Sequence, residues 1–149
     1  MILKIKKLRE GAVIPKRATP GSAGYDLYAC IDEPLTVEAG GTVKLPTGIA
    51  AALEGDGAEN CVLLIYARSS TAVKKGIAPA NCVGVVDSDY RGEIIVALHN
   101  HSGEDKVIEP GERIAQLVIT PVLIPEVVEA DTLPDTERGA GGFGSTGKM

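Results

Sequence analysis

Short apolar segments recur along the chain at intervals of about ten residues, at 2–5, 25–31, 42–45, 49–53, 61–67, 83–86, 93–99, 113–119 and 122–128. Turn formers separate them: Thr19-Pro-Gly, Ala39-Gly-Gly, Gly55-Asp-Gly, His101-Ser-Gly-Glu and Glu109-Pro-Gly-Glu. Many short strands at even spacing predict an antiparallel all-β unit, a sandwich, jelly roll or barrel. Helical periodicity is nearly absent. One short helical turn is expected over 69–75, capped by Ser69 or Ser70 and ended by Gly76. The pattern shows no repeat and no second domain, so residues 1–149 read as one domain. Its β core is expected over 1–128, followed by a mobile glycine-rich segment over 129–149.

Composition sharpens the picture of the core. The chain of 149 residues has no Trp, four Tyr and one Phe, so large rings cannot fill the interior. Val, Ile and Leu must do so, and β-branched side chains suit a pleated sheet. With 44% hydrophobic residues the sequence is not that of a disordered chain. No apolar run is long enough to cross a bilayer, and Lys4, Lys6 and Lys7 interrupt the start where a signal peptide needs an apolar stretch.

Charge and cysteine narrow the function classes. Fifteen basic residues against twenty acidic ones give a net charge of −5, which reads against broad binding to nucleic acid or an anionic membrane. A small polyanion stays open, since one arginine and a few backbone N–H groups hold a phosphate locally. A divalent cation would then offset nearby carboxylates. Cys30, Cys61 and Cys82 are odd in number and widely spaced, and read as reduced, mostly buried side chains of a cytoplasmic protein. His99 and His101 alternate on a strand with no third ligand at metal spacing, which reads against zinc.

Five clusters carry the candidate chemistry. Gly24-Tyr-Asp26-Leu sets an aspartate between two tyrosines. Arg68-Ser69-Ser70 joins an apolar strand to the helical turn, either as a phosphate fork or as an ordinary cap beside a surface arginine. Gly84-Val-Val-Asp87-Ser-Asp-Tyr90-Arg-Gly92 is a carboxylate-rich turn between strands, either a hairpin or the seat of a general base toward water. Gly111-Glu-Arg-Ile-Ala-Gln116 opens a strand after a Pro-Gly turn. The last, Arg138-Gly-Ala-Gly-Gly-Phe-Gly-Ser-Thr-Gly147, superficially matches a dinucleotide fingerprint and the start of a Walker loop. No strand precedes it and no helix follows, so both matches fail on context. Its glycine N–H groups, hydroxyls and guanidinium suit a phosphate, and an exposed Phe143 suits stacking on a flat ring.

In this order and spacing the five clusters resemble the motifs of the trimeric dUTP pyrophosphatases (dUTPases), over nearly the whole chain. Ala67 and Ser70 depart from the residues frequent there, without removing a charged group. The resemblance implies a jelly-roll-like distorted β-barrel with one short helix, a homotrimer with sites at subunit interfaces, and Mg²⁺-dependent hydrolysis of dUTP to dUMP and pyrophosphate. Such a reaction limits uracil incorporation into DNA and supplies dUMP for thymidylate synthesis. By the same resemblance, Asp87 would activate the water that attacks the α-phosphorus, with Gln116 touching that water. Asn81 and the backbone at Val85, Val86 and Ile95 would read uracil. Tyr90 would pack on the deoxyribose and leave no space for a 2′-hydroxyl. Arg68, Ser69, Ser70 and Gln116 would hold the phosphates, and Asp26 would hold Mg²⁺ through water. Arg138, Phe143, Gly144, Ser145 and Thr146 would close over the nucleotide. Two rival expectations are a dCTP deaminase relative, which needs a glutamate in its base pocket, and a trimeric β module that binds without turnover.

Overall fold

A computed structural model describes residues 1–142 of the chain. Eleven strands follow one another among these residues: β1 (Ile2–Lys7), β2 (Tyr25–Tyr28), β3 (Leu35–Val37), β4 (Thr42–Pro46), β5 (Ile49–Glu54), β6 (Cys61–Tyr66), β7 (Ile77–Pro79), β8 (Gly84–Val86), β9 (Ile95–Asn100), β10 (Lys106–Ile108) and β11 (Arg113–Pro121). Two larger sheets, β2-β11-β6-β8 and β4-β9-β7, are accompanied by the pairs β1-β5 and β3-β10, with every named pairing antiparallel. The architecture is the expected jelly-roll-like one, but the sheets are open. Among the described residues no continuous ladder closes them into a barrel.

Alternation explains which faces meet. Along β9, Val96, Leu98 and Asn100 are buried while Ile95 is exposed and His99 half-buried. Leu45 and Leu98 from one large sheet join Leu27, Leu63, Ile65 and Leu117 from the other in a single apolar cluster. No aromatic side chain is among the buried core residues. Each fully buried Leu or Ile stabilises the fold by about 1.5–3 kcal/mol, so aliphatic packing alone suffices. The buried Asn100 is satisfied: its Nδ2 donates to Val37 O and Glu104 O, and its Oδ1 accepts from Ser102.

Several expectations need correction. The helical turn occupies residues 69–75 as expected, its Thr71–Lys75 part a single wide π-type turn that ends at Gly76 in the left-handed region, φ 69°. Neither serine caps it by a side chain, because Ser70 already lies in helical geometry and its Oγ instead accepts from Arg68. The apolar run 122–128 forms no strand. β11 ends at Pro121, and Leu123, Val127 and Val128 beyond it are exposed and pair with no strand among the described residues. Cys61 is buried and Cys30 half-buried as expected, but Cys82 is exposed on a turn with φ 63°.

Candidate functional site

The segment 84–95 is not a hairpin. β8 pairs with β6 in the four-stranded sheet, whereas β9 pairs with β4 and β7 in the three-stranded one. The chain therefore crosses between sheets at Asp87–Ile94, and the second edge of β8 keeps its backbone groups free of any ladder partner among the described residues. A cavity of about 240 Å³ opens at this splay, lined by Val85, Val86, Asp87, Tyr90, Glu93, Ile94 and Ile95. Pockets that enclose whole small molecules run from roughly 300 Å³ upward, so this one suits part of a larger ligand. Free backbone N–H and C=O groups between apolar side chains present the donor and acceptor edge of a base partner. Asp87 is exposed at the mouth.

The glutamate in this cavity is not free for chemistry. Glu93 Oε1 accepts from the Gly48 N–H at 2.9 Å and Oε2 from Arg9 Nη2 at 2.9 Å. A carboxylate with both oxygens engaged is a poor proton shuttle, which counts against a deaminase pocket.

A second cluster forms on the outer face of β2, β11 and β6. Register places Gln116 opposite Asp26 on one side and Tyr66 on the other. A bulge between Arg113 and Ala115 sets this up. Ile114 and Ala115 are both buried in succession, so Arg113 and Gln116 emerge on the same outer side. Without the extra residue the period of two would send Gln116 into the core.

Asp26 lies between two guanidiniums. Arg68 Nε donates to its Oδ1 at 2.8 Å and Arg113 Nη1 to its Oδ2 at 3.1 Å. Arg68 Nη1 also donates to Ser70 Oγ at 3.2 Å. Gln116 Nε2 donates to Ala67 O at 3.0 Å, which turns its Oε1 toward Gly24. There the fit is tight: a Cβ on residue 24 would lie 2.4 Å from that oxygen. The Gly24→Ala variant is therefore expected to displace the Gln116 amide and lower any turnover at this site by about 10–100-fold. Residue 24 lies outside the regular strands and the core cluster, so the melting temperature should stay nearly unchanged. Steady-state rates and a thermal melt check both statements.

Beside this cluster a cavity of about 280 Å³ is lined by Arg68, Ser70, Thr71, Lys74, Lys75, Glu112 and Arg113. Lys75 pairs with Glu112, and Asp26 offsets only part of the charge of Arg68, Lys74 and Arg113, so a net positive charge surrounds the serine hydroxyl. That arrangement suits a polyphosphate, even though the whole chain is acidic.

The two clusters do not meet within one subunit. Asp87 follows Val86, which pairs with Leu63, while Gln116 pairs with Tyr66 two strands away. Strand spacing and rise put the backbones of Asp87 and Gln116 roughly 15 Å apart. Neither side chain spans that gap to share one water with the other.

The remaining expected site residues scatter. Ser69 is exposed on the far side of the helical turn, beside Val73 and Lys74. Asn81 sits on the exposed turn leading into β8 and does not line the first cavity. Arg138 is exposed, its Nε donating to Gly141 O at 3.0 Å. Phe143, Gly144, Ser145 and Thr146 lie outside the described residues. The sequence reading gave no role to Arg113, Lys74 or Glu93. The adjacent apolar pair Ile114-Ala115, breaking the alternation just after Arg113, was the one local signal that pointed to the bulge.

No group of three His, Cys, Asp or Glu side chains is placed to hold a metal among the described residues. A lone carboxylate already paired with two arginines fits an ion that is carried mainly by phosphates and water, with Asp26 reaching only its outer shell.

A sequence profile of the dUTPase family matches residues 10–147. A deoxyuridine 5'-triphosphate nucleotidohydrolase of Desulfitobacterium hafniense is 53% identical over 134 residues, 90% of this chain and 87% of that protein. Among solved structures, a point mutant of the dUTPase of Staphylococcus bacteriophage 80alpha, bound to dUpNHpp, superposes with a TM-score of 0.85. It is 26% identical and each chain covers 99% of the other. A mutant dUTPase from phage phi11 of S. aureus, described with a structural Mg(II) ion, shares the fold at a TM-score of 0.78 and 23% identity, over 91% of this chain and all of that one.

Proposed function

This chain belongs to the dUTPase family, and on that premise we propose how it hydrolyses dUTP to dUMP and pyrophosphate. Uracil enters the first cavity, where the free edge of β8 and the backbone at Val85, Val86 and Ile95 meet its polar edge. Tyr90 lies against the deoxyribose and leaves no space for a 2′-hydroxyl. Asp87, at the mouth, takes a proton from the water that attacks the α-phosphorus in line with the departing pyrophosphate. Arg68, Ser70, Lys74 and Arg113 hold the phosphate chain and spread its charge, with Ser69 at the flank of the same turn.

The observation that carries this reading is Asp87 exposed beside a cavity edged by free backbone groups, with a separate cationic cleft around Arg68, Ser70, Lys74 and Arg113 on the same chain. Asp87 and Gln116 act on one water only if a second copy of the chain supplies one of them. A homotrimer with shared sites satisfies that demand. The exposed apolar arm beyond Pro121, with Leu123, Ile124, Val127 and Val128, gives such copies an apolar surface to bury. The tail from Arg138 through Phe143, Gly144, Ser145 and Thr146 then closes over a neighbour's nucleotide.

Mg²⁺, when bound, would neutralise phosphate charge, and Asp26 would hold its hydration shell. The phi11 relative described with Mg(II) supports an ion in this family. No helix among the described residues is long and apolar enough to cross a membrane, and a free-nucleotide substrate supports a cytoplasmic setting.

Incubation with dUTP, UTP, dCTP and dTTP in the presence of Mg²⁺, reading pyrophosphate, tests the proposal. Rapid release is expected from dUTP alone, and chelation of the metal should slow it. Equal rates on UTP and dUTP would remove the sugar-reading role of Tyr90. Release of a deaminated nucleotide would restore the deaminase alternative, and no turnover of any substrate would favour a binding module.

A further inference from the structure

Tyr90 is 45% exposed and stands on a loop between two sheets, a poor place for a side chain that must exclude a single hydroxyl. Its ring is nevertheless fixed from two sides. The ring folds back over Gly92, where a Cβ would lie 2.3 Å from Oη and 2.5 Å from Cζ. Its Oη donates to Glu93 O at 3.0 Å.

Residue 93 is itself held in place. Both carboxylate oxygens are bound, by Gly48 N–H and by Arg9, and the side chain is 16% exposed. The next residue is tied to the same turn: Ile94 N–H donates to Ile49 O, and Ile94 O accepts from Thr47 N–H and from Thr47 Oγ1 at 2.6 Å. Gly48, at φ 70°, fits closely against Cys30 and Ala12, so the turn that anchors Glu93 is packed into the body.

We propose that Glu93, together with Gly92, is a positioning residue for sugar selectivity, acting through Tyr90. The carboxylate pins residue 93 to the 47–49 turn, so its carbonyl receives the tyrosine hydroxyl at one fixed point, and the absent side chain at 92 lets the ring lie there. Neither residue touches the reacting atoms. The inference rests on the reading of Tyr90 as the group that rejects ribose.

The test compares kcat/KM for dUTP and UTP in wild type, Glu93→Ala, Glu93→Gln, Gly92→Ala and Tyr90→Ala, with a thermal melt for each. Glu93→Ala should lower the preference for dUTP by about 10–100-fold, the scale of a misplacement near 1 Å, chiefly by admitting UTP. Glu93→Gln keeps an acceptor for the Gly48 N–H and should recover much of the preference. Gly92→Ala should lower it as well, because that backbone is outside the left-handed region and alanine changes only the contact with the ring. This variant carries the test if Glu93→Ala fails to fold. Equal losses on both substrates, with the ratio unchanged, would overturn the inference and leave Glu93 as a fold anchor. A Tyr90→Ala variant that keeps the ratio would instead sink the reading of Tyr90, a separable failure.

Discussion

Asp87→Asn is expected to lower dUTP turnover by about 10²–10⁴-fold while nucleotide affinity stays near that of the native protein. The amide has the shape of the carboxylate but cannot accept the proton of the attacking water, and a positioned general base is worth that factor. Affinity should be spared because the proposed base contacts come from the backbone of β8 and β9 and the proposed phosphate contacts from Arg68, Ser70 and Arg113, which line the two cavities. Single-turnover kinetics with a parallel binding titration separate the two effects. A near-native rate would eliminate Asp87 as the base.

The same variant tests the divided site. Gln116→Ala, made in a separate chain, damages the other cluster. Co-refolding it with Asp87→Asn lets each chain lend its intact half to a neighbour, and random trimers should recover about one site in four. Chains that act alone recover nothing beyond the sum of the two variants, which would place each site within one subunit.

Removing residues 138–149 is expected to cut kcat/KM for dUTP by a hundredfold or more. It takes away a guanidinium and the hydroxyls proposed for the terminal phosphate, a scale in keeping with lost charge stabilisation in a closed site. Folding should be unaffected. Residues 129–140 are exposed, belong to no sheet and contribute nothing to the core, so their last part costs the body little. The arm at 122–137 remains for assembly. A melting temperature lowered by much more than about 2 °C would make the tail a structural element instead of a closing one.

Local readings held where local physics decides. The apolar segments became strands because alternation is enough to bury one face, as at β9, and their core is aliphatic because the composition offers few rings. Gly76 ended the helical turn because the left-handed backbone there favours glycine. The run 122–128 misled for the complementary reason. Its side chains are apolar, but a strand needs a partner, and partner availability is not written in the run itself. Glycines 24 and 92 were part of the quoted motifs, yet only contact distances show that each makes room for a functional side chain.

By itself, then, the sequence determined an aliphatic all-β subunit, the family and the residue types able to hold a nucleotide. Tertiary structure alone decided how those residues are divided. A one-residue bulge in β11 put Gln116 and Arg113 on the outer face with Asp26. The passage of β8 and β9 into different sheets opened the base cavity, and two strand spacings kept Asp87 from Gln116. Turn chemistry and periodicity act over a few neighbouring residues. Register and sheet membership are fixed by pairings between segments far apart in the chain, and no single segment encodes them.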